Sequence, residues 1–137
     1  MELLTHLASA TVLTSVVYIF GGWDVALQSL LIFVVIDYIT GMIKAGIRKE
    51  WNSTFGFKGI LKKIGILTLI AVAAQIDVLT NMNGVVRTLV IYYFVANEGL
   101  SILENLAQAG VPIPEFLKTK LIKLKEDSDN GKMEKSK

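Results

Sequence analysis

The chain has 137 residues, of which 53% are hydrophobic, with a formal net charge of +2 and no cysteine. Its length leaves no room for a separate catalytic domain beside a membrane domain, and the lack of cysteine excludes disulfides, thiol catalysis and cysteine-bound metals. Because His6 is the only histidine, we also expect no catalytic residues, no metal site and no cofactor.

The hydrophobic residues form long blocks separated by short polar pieces. This pattern predicts an all-α integral membrane protein, with one domain over residues 1–110. We expect about four transmembrane helices, or three if the first does not cross. Six of the fourteen Lys and Arg lie between 44 and 63 and seven between 118 and 137. They flank apolar runs, as membrane anchors do, so we expect no nucleic-acid partner.

The four predicted spans are residues 7–22, 25–46, 60–81 and 85–108. The first has no Lys or Arg before it, so it lacks the basic start of a signal peptide and is interpreted as a retained span. The second carries Asp37 at its centre, and the fourth is the most polar.

A Gly- and Pro-containing turn ends the fourth span, and a short basic amphipathic helix is predicted over residues 111–126. Its apolar face contains Leu117, Leu121 and Leu124. The composition of residues 127–137 predicts a disordered charged tail.

Positively charged segments of membrane proteins face the cytoplasm, so both basic clusters are predicted on that side. Four spans then place the N-terminus there as well. The predicted membrane-surface anchors are Lys44, Arg48, Lys49, Lys62, Lys63, Lys118, Lys120, Lys123 and Lys125.

Asp37 is the most demanding residue of the second span, because a charge at mid-membrane costs about 2.5–3.5 kcal/mol on insertion scales. It must be protonated, paired or facing water. Gly41 and Ala45 follow at intervals of four and let another helix approach closely. That helix belongs either to the same subunit or to a second copy.

The fourth span carries a polar stripe about 120° wide at 100° per residue. Such a face cannot contact lipid, so it packs inside its own bundle against Asp37, lines a water-filled lumen, or lies at the interface. The stripe consists of Asn97, Glu98, Ser101, Glu104, Asn105 and Gln108. All but Gln108 join Asp37, Gly41 and Ala45 as predicted oligomerisation or pore residues.

Two charged residues, Asp77 and Arg87, flank the turn between the third and fourth spans. The short turn brings them near each other, and the sequence predicts a simple surface ion pair.

Three blocks of the chain are distinctive: DYITGMIKA at 37–45, NSTFGFKGILKKIG at 52–65 and NEGLSILEN at 97–105, the last followed by PIP and a basic helix. With these blocks the chain resembles the toxin-secretion/phage-lysis holin family. The likeness covers roughly residues 30–125.

The resemblance implies a small multi-pass protein of the bacterial cytoplasmic membrane that forms homo-oligomers and suddenly permeabilises the bilayer. It also implies a functional link to a phage endolysin or an exported toxin, with no small-molecule substrate. Two other classes stay open. One is a small cation channel or transporter lined by Asp37, Glu98 and Glu104; the other is a membrane scaffold that recruits a partner through its basic tail.

Overall fold

The structure is a computed structural model that describes residues 1–132. Its helices are α1 (Glu2–Ile19), α2 (Val25–Arg48), α3 (Ser53–Thr80), α4 (Val85–Gln108) and α5 (Glu115–Asp129). That part of the chain contains no strand. Helices α1 to α4 are long and apolar enough to cross a membrane. The predicted all-α membrane fold is therefore confirmed.

Local side-chain chemistry sets where the helices begin and end. Asp24 caps α2 by accepting a hydrogen bond from the backbone N–H of the third helical residue at 2.9 Å. Asn52 caps α3 in the same way. Lys49 and Asn81 end α2 and α3 in the left-handed conformation, which stops the helical hydrogen-bond ladder.

Helix α4 lies at the centre of the fold, because it packs along α2, α3 and α5. The interface of α2, α3 and α4 is filled by aliphatic side chains that are almost fully buried. Since lipid tails are as apolar as these side chains, van der Waals contact holds the helices together in a bilayer. The buried cluster is Leu27, Leu30, Ile66, Ile70 and Ile91.

Arg87 joins two turns at one end of the bundle, which we call the Arg87 end. Its side chain is 5% exposed, and its guanidinium donates to the carbonyl oxygens of Phe20 and Gly22 and to the Asp24 carboxylate. The distance from Nη1 to the carboxylate oxygen is 2.6 Å. A Cβ on Gly21 would lie 2.8 Å from Arg87 Cδ, so only glycine fits there without a shift.

Hydrogen bonds from the Arg87 guanidinium hold the pKa of Asp24 below its ordinary value of 3.8. The Asp24 carboxyl therefore has a lower pKa in the folded protein than in the unfolded chain. Its contribution to stability is complete above the unfolded-state pKa and is lost as the pH falls through the folded-state pKa. The pair therefore persists at neutral pH. Because Asp24 is 49% exposed, water weakens the charge attraction, and the two partly buried hydrogen bonds from Arg87 to backbone carbonyls add to the stabilisation.

The predicted surface ion pair between Asp77 and Arg87 is wrong. Asp77 is 5% exposed, and its carboxylate accepts the backbone N–H groups of Val86 and Arg87 at 2.9 and 2.7 Å. It therefore caps α4 from the preceding helix. The Arg87 side chain turns instead to Asp24.

Several predicted boundaries shift. Helix α1 begins five residues before residue 7 and ends at Ile19, because Gly21 and Gly22 adopt positive φ. Helix α3 begins at Ser53 rather than at residue 60. Helix α5 continues to Asp129, three residues into the predicted tail; residues 133–137 of that tail lie outside the described residues.

Helix α1 contributes little to the bundle. None of its residues is buried, and it touches only α3 among the helices with substantial contact. Phe20, directly after it, packs against the aliphatic cluster. The attachment of α1 therefore depends on the turn that Arg87 holds.

Replacement of Arg87 by alanine tests this attachment. The change leaves two backbone carbonyls and a carboxylate without their donor, so we expect a loss of about 3 kcal/mol in the free energy of unfolding. Unfolding of the purified protein in detergent measures it, with Arg48→Ala as the control because Arg48 is exposed and bonds Glu50 and Gln108 at the surface. Equal stability of the two variants would contradict the role of Arg87.

Candidate functional site

Three charged side chains from three helices meet inside the bundle. Lys63 of α3 places its Nζ 2.6 Å from Asp37 Oδ2 of α2 and in direct contact with Glu98 Oε2 of α4. The side chains of Lys63, Asp37 and Glu98 are 15%, 13% and 3% exposed. We call these three residues the charge cluster.

The charge cluster lies near mid-membrane depth. Asp37 is the thirteenth of the 24 residues of α2, and Glu98 is the fourteenth of the 24 residues of α4. At 1.5 Å per residue each helix is about 36 Å long, so both carboxylates lie near the centre of their spans. A charge at that depth is stable only when it is paired or faces water.

Asn105 and Thr40 complete the hydrogen bonding around Asp37. The Asn105 side-chain amide donates to Asp37 Oδ1 and to the Thr40 hydroxyl oxygen, both at 3.2 Å. The Thr40 hydroxyl in turn donates to the backbone carbonyl of Asp37 at 3.0 Å. Within residues 1–132, no buried side-chain nitrogen or oxygen lacks a partner. The bundle therefore hides its polar interior from lipid.

The three residues of the charge cluster depend on one another. Removing one member of a buried ion pair leaves an uncompensated charge and costs about 3–5 kcal/mol. Here one ammonium serves two carboxylates, so α2 and α4 are both tied to α3 through Lys63. Because two carboxyl groups share one ammonium, the chemistry of the arrangement is that of ion pairing between helices.

The structure contradicts the prediction that Lys63 is a membrane-surface anchor. The helix begins at Ser53, so Lys63 is its eleventh residue, and its side chain lies inside the bundle. The sequence held a signal for this position: Lys63 lies three and seven residues before Ile66 and Ile70, which are both buried. The neighbouring Lys62 is exposed. The membrane-surface role of the other anchors stays a prediction.

The polar stripe of α4 is divided among different neighbours. Glu98 and Asn105 face α2 and α3, whereas Asn97 accepts a hydrogen bond from Lys125 of α5 at 3.1 Å. Glu104 is exposed and accepts from Gln108 at 3.1 Å. Ser101 is half-buried. The structure thus brings Asp37, Glu98 and Asn105 together, but not the whole stripe.

The small residues of α2 face α4. A Cβ on Gly41 would lie 3.7 Å from the Asn105 side-chain nitrogen, and Ala45 is half-buried one turn further on. This close-approach face is occupied within the subunit. A role of Gly41 and Ala45 in oligomerisation stays a prediction.

Gly99 is a contact residue that the sequence analysis did not identify. A Cβ there would lie 2.9 Å from Leu121 Cδ1 of α5 and 3.1 Å from Phe33 Cε2 of α2. The absence of a side chain lets α5 lie close to α4. A glycine in the middle of an otherwise regular membrane helix was the available signal.

Lys63→Met tests the charge cluster. The variant leaves two carboxylates close together without a cation, so we expect its free energy of unfolding in detergent to fall by about 3–5 kcal/mol. The matched control is Lys62→Met, which makes the same change at the adjacent exposed position and should be nearly neutral.

A triple variant separates the effect of the unpaired carboxylate charges from the effect of the altered side-chain shape. Adding Asp37→Asn and Glu98→Gln to Lys63→Met removes both carboxylate charges, so much of the lost stability should return. If Lys63→Met and Lys62→Met unfold alike, or if the triple variant is no more stable than Lys63→Met, the charge cluster does not stabilise the bundle as described.

The chain is similar in sequence to known proteins over most of its length. The model of the Bacteriophage holin family matches residues 14–126. A protein named "Probable holin" from Bacillus phage phi105 is 40% identical over 112 residues, which cover 82% of each chain. An uncharacterised protein of Clostridium perfringens is 48% identical over 108 residues, covering 78% of this chain and 80% of the relative.

An uncharacterised protein of Listeria monocytogenes is 44% identical over 105 residues, covering 77% of this chain and 75% of the relative. No solved structure matches the chain. The family model spans the end of α1, the charge cluster of α2, α3 and α4, and most of α5. This protein belongs to the bacteriophage holin family.

Proposed function

We propose that the protein accumulates in the bacterial cytoplasmic membrane, forms homo-oligomers and permeabilises the bilayer so that a folded protein crosses. The cargo is a phage endolysin that degrades the cell wall or an exported toxin. The protein acts without catalysis. The observation that carries the proposal is a helical membrane bundle in which the intramembrane charges of Asp37, Lys63 and Glu98 are paired within one subunit.

Internal pairing makes accumulation possible. With Asp37, Lys63 and Glu98 bonded to one another inside the bundle, a single subunit largely shields this cluster from lipid. The outward faces of α2 and α3 are largely apolar, with exposed residues such as Ile32, Val35 and Leu69. Dilute subunits are therefore stable in the bilayer, and crowded subunits meet through these faces.

Assembly then changes which surfaces face water. A helix with a polar stripe exchanges contacts inside its own bundle for contacts around a lumen when enough copies are present. Such an exchange depends steeply on protein density, which fits an abrupt onset. The relative from Bacillus phage phi105, which bears the name "Probable holin", supports this role.

The proposed topology places the basic segments in the cytoplasm. The Arg48 guanidinium donates to the Gln108 side chain at 3.0 Å, so the ends of α2 and α4 lie at the same end of the bundle. Lys49 follows there, and positively charged loops face the cytoplasm. With four crossings, the N-terminus and the segment before α5 share that side.

The geometry favours this role over a narrow cation path. A cation path needs carboxylates that face water, whereas Asp37 and Glu98 both bind Lys63. Glu104 is on another surface, bonded to Gln108. Release of a folded enzyme supports the holin role, leakage of ions alone supports the channel, and no leakage supports a scaffold.

Lysis timing tests the proposal. Co-expression with a matched endolysin should give abrupt lysis, and Asp37→Leu or Gly41→Leu should delay it several-fold. Asp37→Leu removes a partner of Lys63, and a leucine at Gly41 would push against Asn105. Gly65→Leu is the matched control, because no atom lies within 4 Å of a Cβ at that exposed position.

Optical density and release of a cytoplasmic enzyme record the onset, and immunoblots of the membrane fraction confirm equal amounts of each variant. Wild-type timing in both Asp37→Leu and Gly41→Leu would remove these residues from the mechanism. Ion leakage with no passage of the endolysin would contradict the proposed function itself.

A further inference from the structure

Helix α5 lies along α4 although most of its residues are polar or charged. The methyl groups of Leu121 occupy the space above Gly99, and Lys125 Nζ donates to Asn97 Oδ1 at 3.1 Å. Lys125 also lies 5.5 Å from the ring centroid of Tyr93. These contacts define a docked position for α5 with a specific register on α4.

The docked helix reaches deep into the bundle. Asn97 and Gly99 lie at the middle of α4, and the end of α5 extends further towards the Arg87 end. There Ser128 is buried, and with Asp129 it lines one side of an open groove of about 410 Å³. The other lining residues include Ile76, Val86, Leu89 and Tyr93 of α3 and α4. Docked α5 therefore runs through mid-membrane depth.

The outer face of docked α5 is incompatible with lipid. Lys120, Lys123 and Glu126 are exposed on that face. Charged side chains near the bilayer centre are strongly disfavoured unless they reach water or a partner. Charged residues at such depth face the bundle interior, pair with another charge or border a water-filled cavity. These three point away from α4, and none of them forms an ion pair within residues 1–132. The docked position requires water beside α5.

We propose that α5, docked on Tyr93, Asn97 and Gly99 of α4, lines the water-filled path of the assembled protein. In subunits surrounded by lipid, α5 leaves α4 and lies at the membrane surface with its lysines towards anionic headgroups. This inference rests on the proposed permeabilising function. It adds that docking of α5 belongs to the permeable state.

Leu121→Asp tests the proposal against Ile122→Asp, which adds the same charge at the adjacent, more exposed position. Purified proteins are added to vesicles of phosphatidylcholine and phosphatidylglycerol that contain a folded enzyme. We expect release by Leu121→Asp to slow at least about tenfold, the factor that burial of one leucine contributes. Ile122→Asp should stay within about twofold of wild type.

Wild-type or faster release by Leu121→Asp would overturn the role of α5 while leaving the proposed function intact. Failure of the wild-type protein to release the enzyme at any density would overturn the function and, with it, this inference. The two failures are therefore distinguishable in one assay.

Cross-linking gives a second measurement, which reports the position of α5 directly and keeps the Leu121–Gly99 contact. The chain has no cysteine, so an Asn97→Cys/Lys125→Cys variant reacts with a short bismaleimide only when α5 is docked. We expect cross-linking at protein densities that release the enzyme and little at low density. Cross-linking at low density that blocks later release, or no cross-linking at any density, would overturn the proposal.

Discussion

The structure depends on one buried ammonium group shared by two carboxylates. Lys63 lies between Asp37 and Glu98 near the centre of the membrane spans, where an unpaired charge would oppose insertion. The three residues come from α3, α2 and α4. None of them is buried together with its partners until all three helices have packed against one another. The charge cluster therefore specifies which helices meet and at what depth, while the aliphatic cluster supplies contact area.

A second polar constraint acts at the Arg87 end. Arg87 binds the turn between α1 and α2, and Asp77 caps α4 through the backbone of Val86 and Arg87. Together they place two turns side by side. Beyond this attachment α1 has no buried residue, so the core of the protein is formed by α2, α3 and α4.

The sequence was sufficient for the helical spans and for the importance of Asp37, because both follow from hydropathy and the energetic cost of a buried charge. It also led to the prediction that α4 covers Asp37, which the contact with Asn105 matches. It did not identify Lys63, which was grouped with the surface lysines because α3 was predicted to begin at residue 60. Because α3 in fact begins at Ser53, Lys63 lies about two turns deeper in the helix than the sequence predicted.

Other features could not be obtained from sequence periodicity. Arg87 and Asp77 are close along the chain, yet the Arg87 side chain binds Asp24, 63 residues away, while the Asp77 carboxylate accepts backbone N–H groups of α4. The docking of α5 depends on the missing side chain at Gly99 and on the direction in which the chain turns after α4. Neither is encoded in a helical pattern, since both are properties of tertiary packing.

The most direct test of the account is the dependence of permeabilisation on protein density. Purified protein is reconstituted at increasing protein-to-lipid ratios into vesicles loaded with a small dye and a folded murein hydrolase. We predict that both stay inside below a threshold density and leave together above it, because subunits whose intramembrane charges are paired internally are harmless until they assemble. Leakage of the dye alone at every density, or gradual release in proportion to density, would contradict the account.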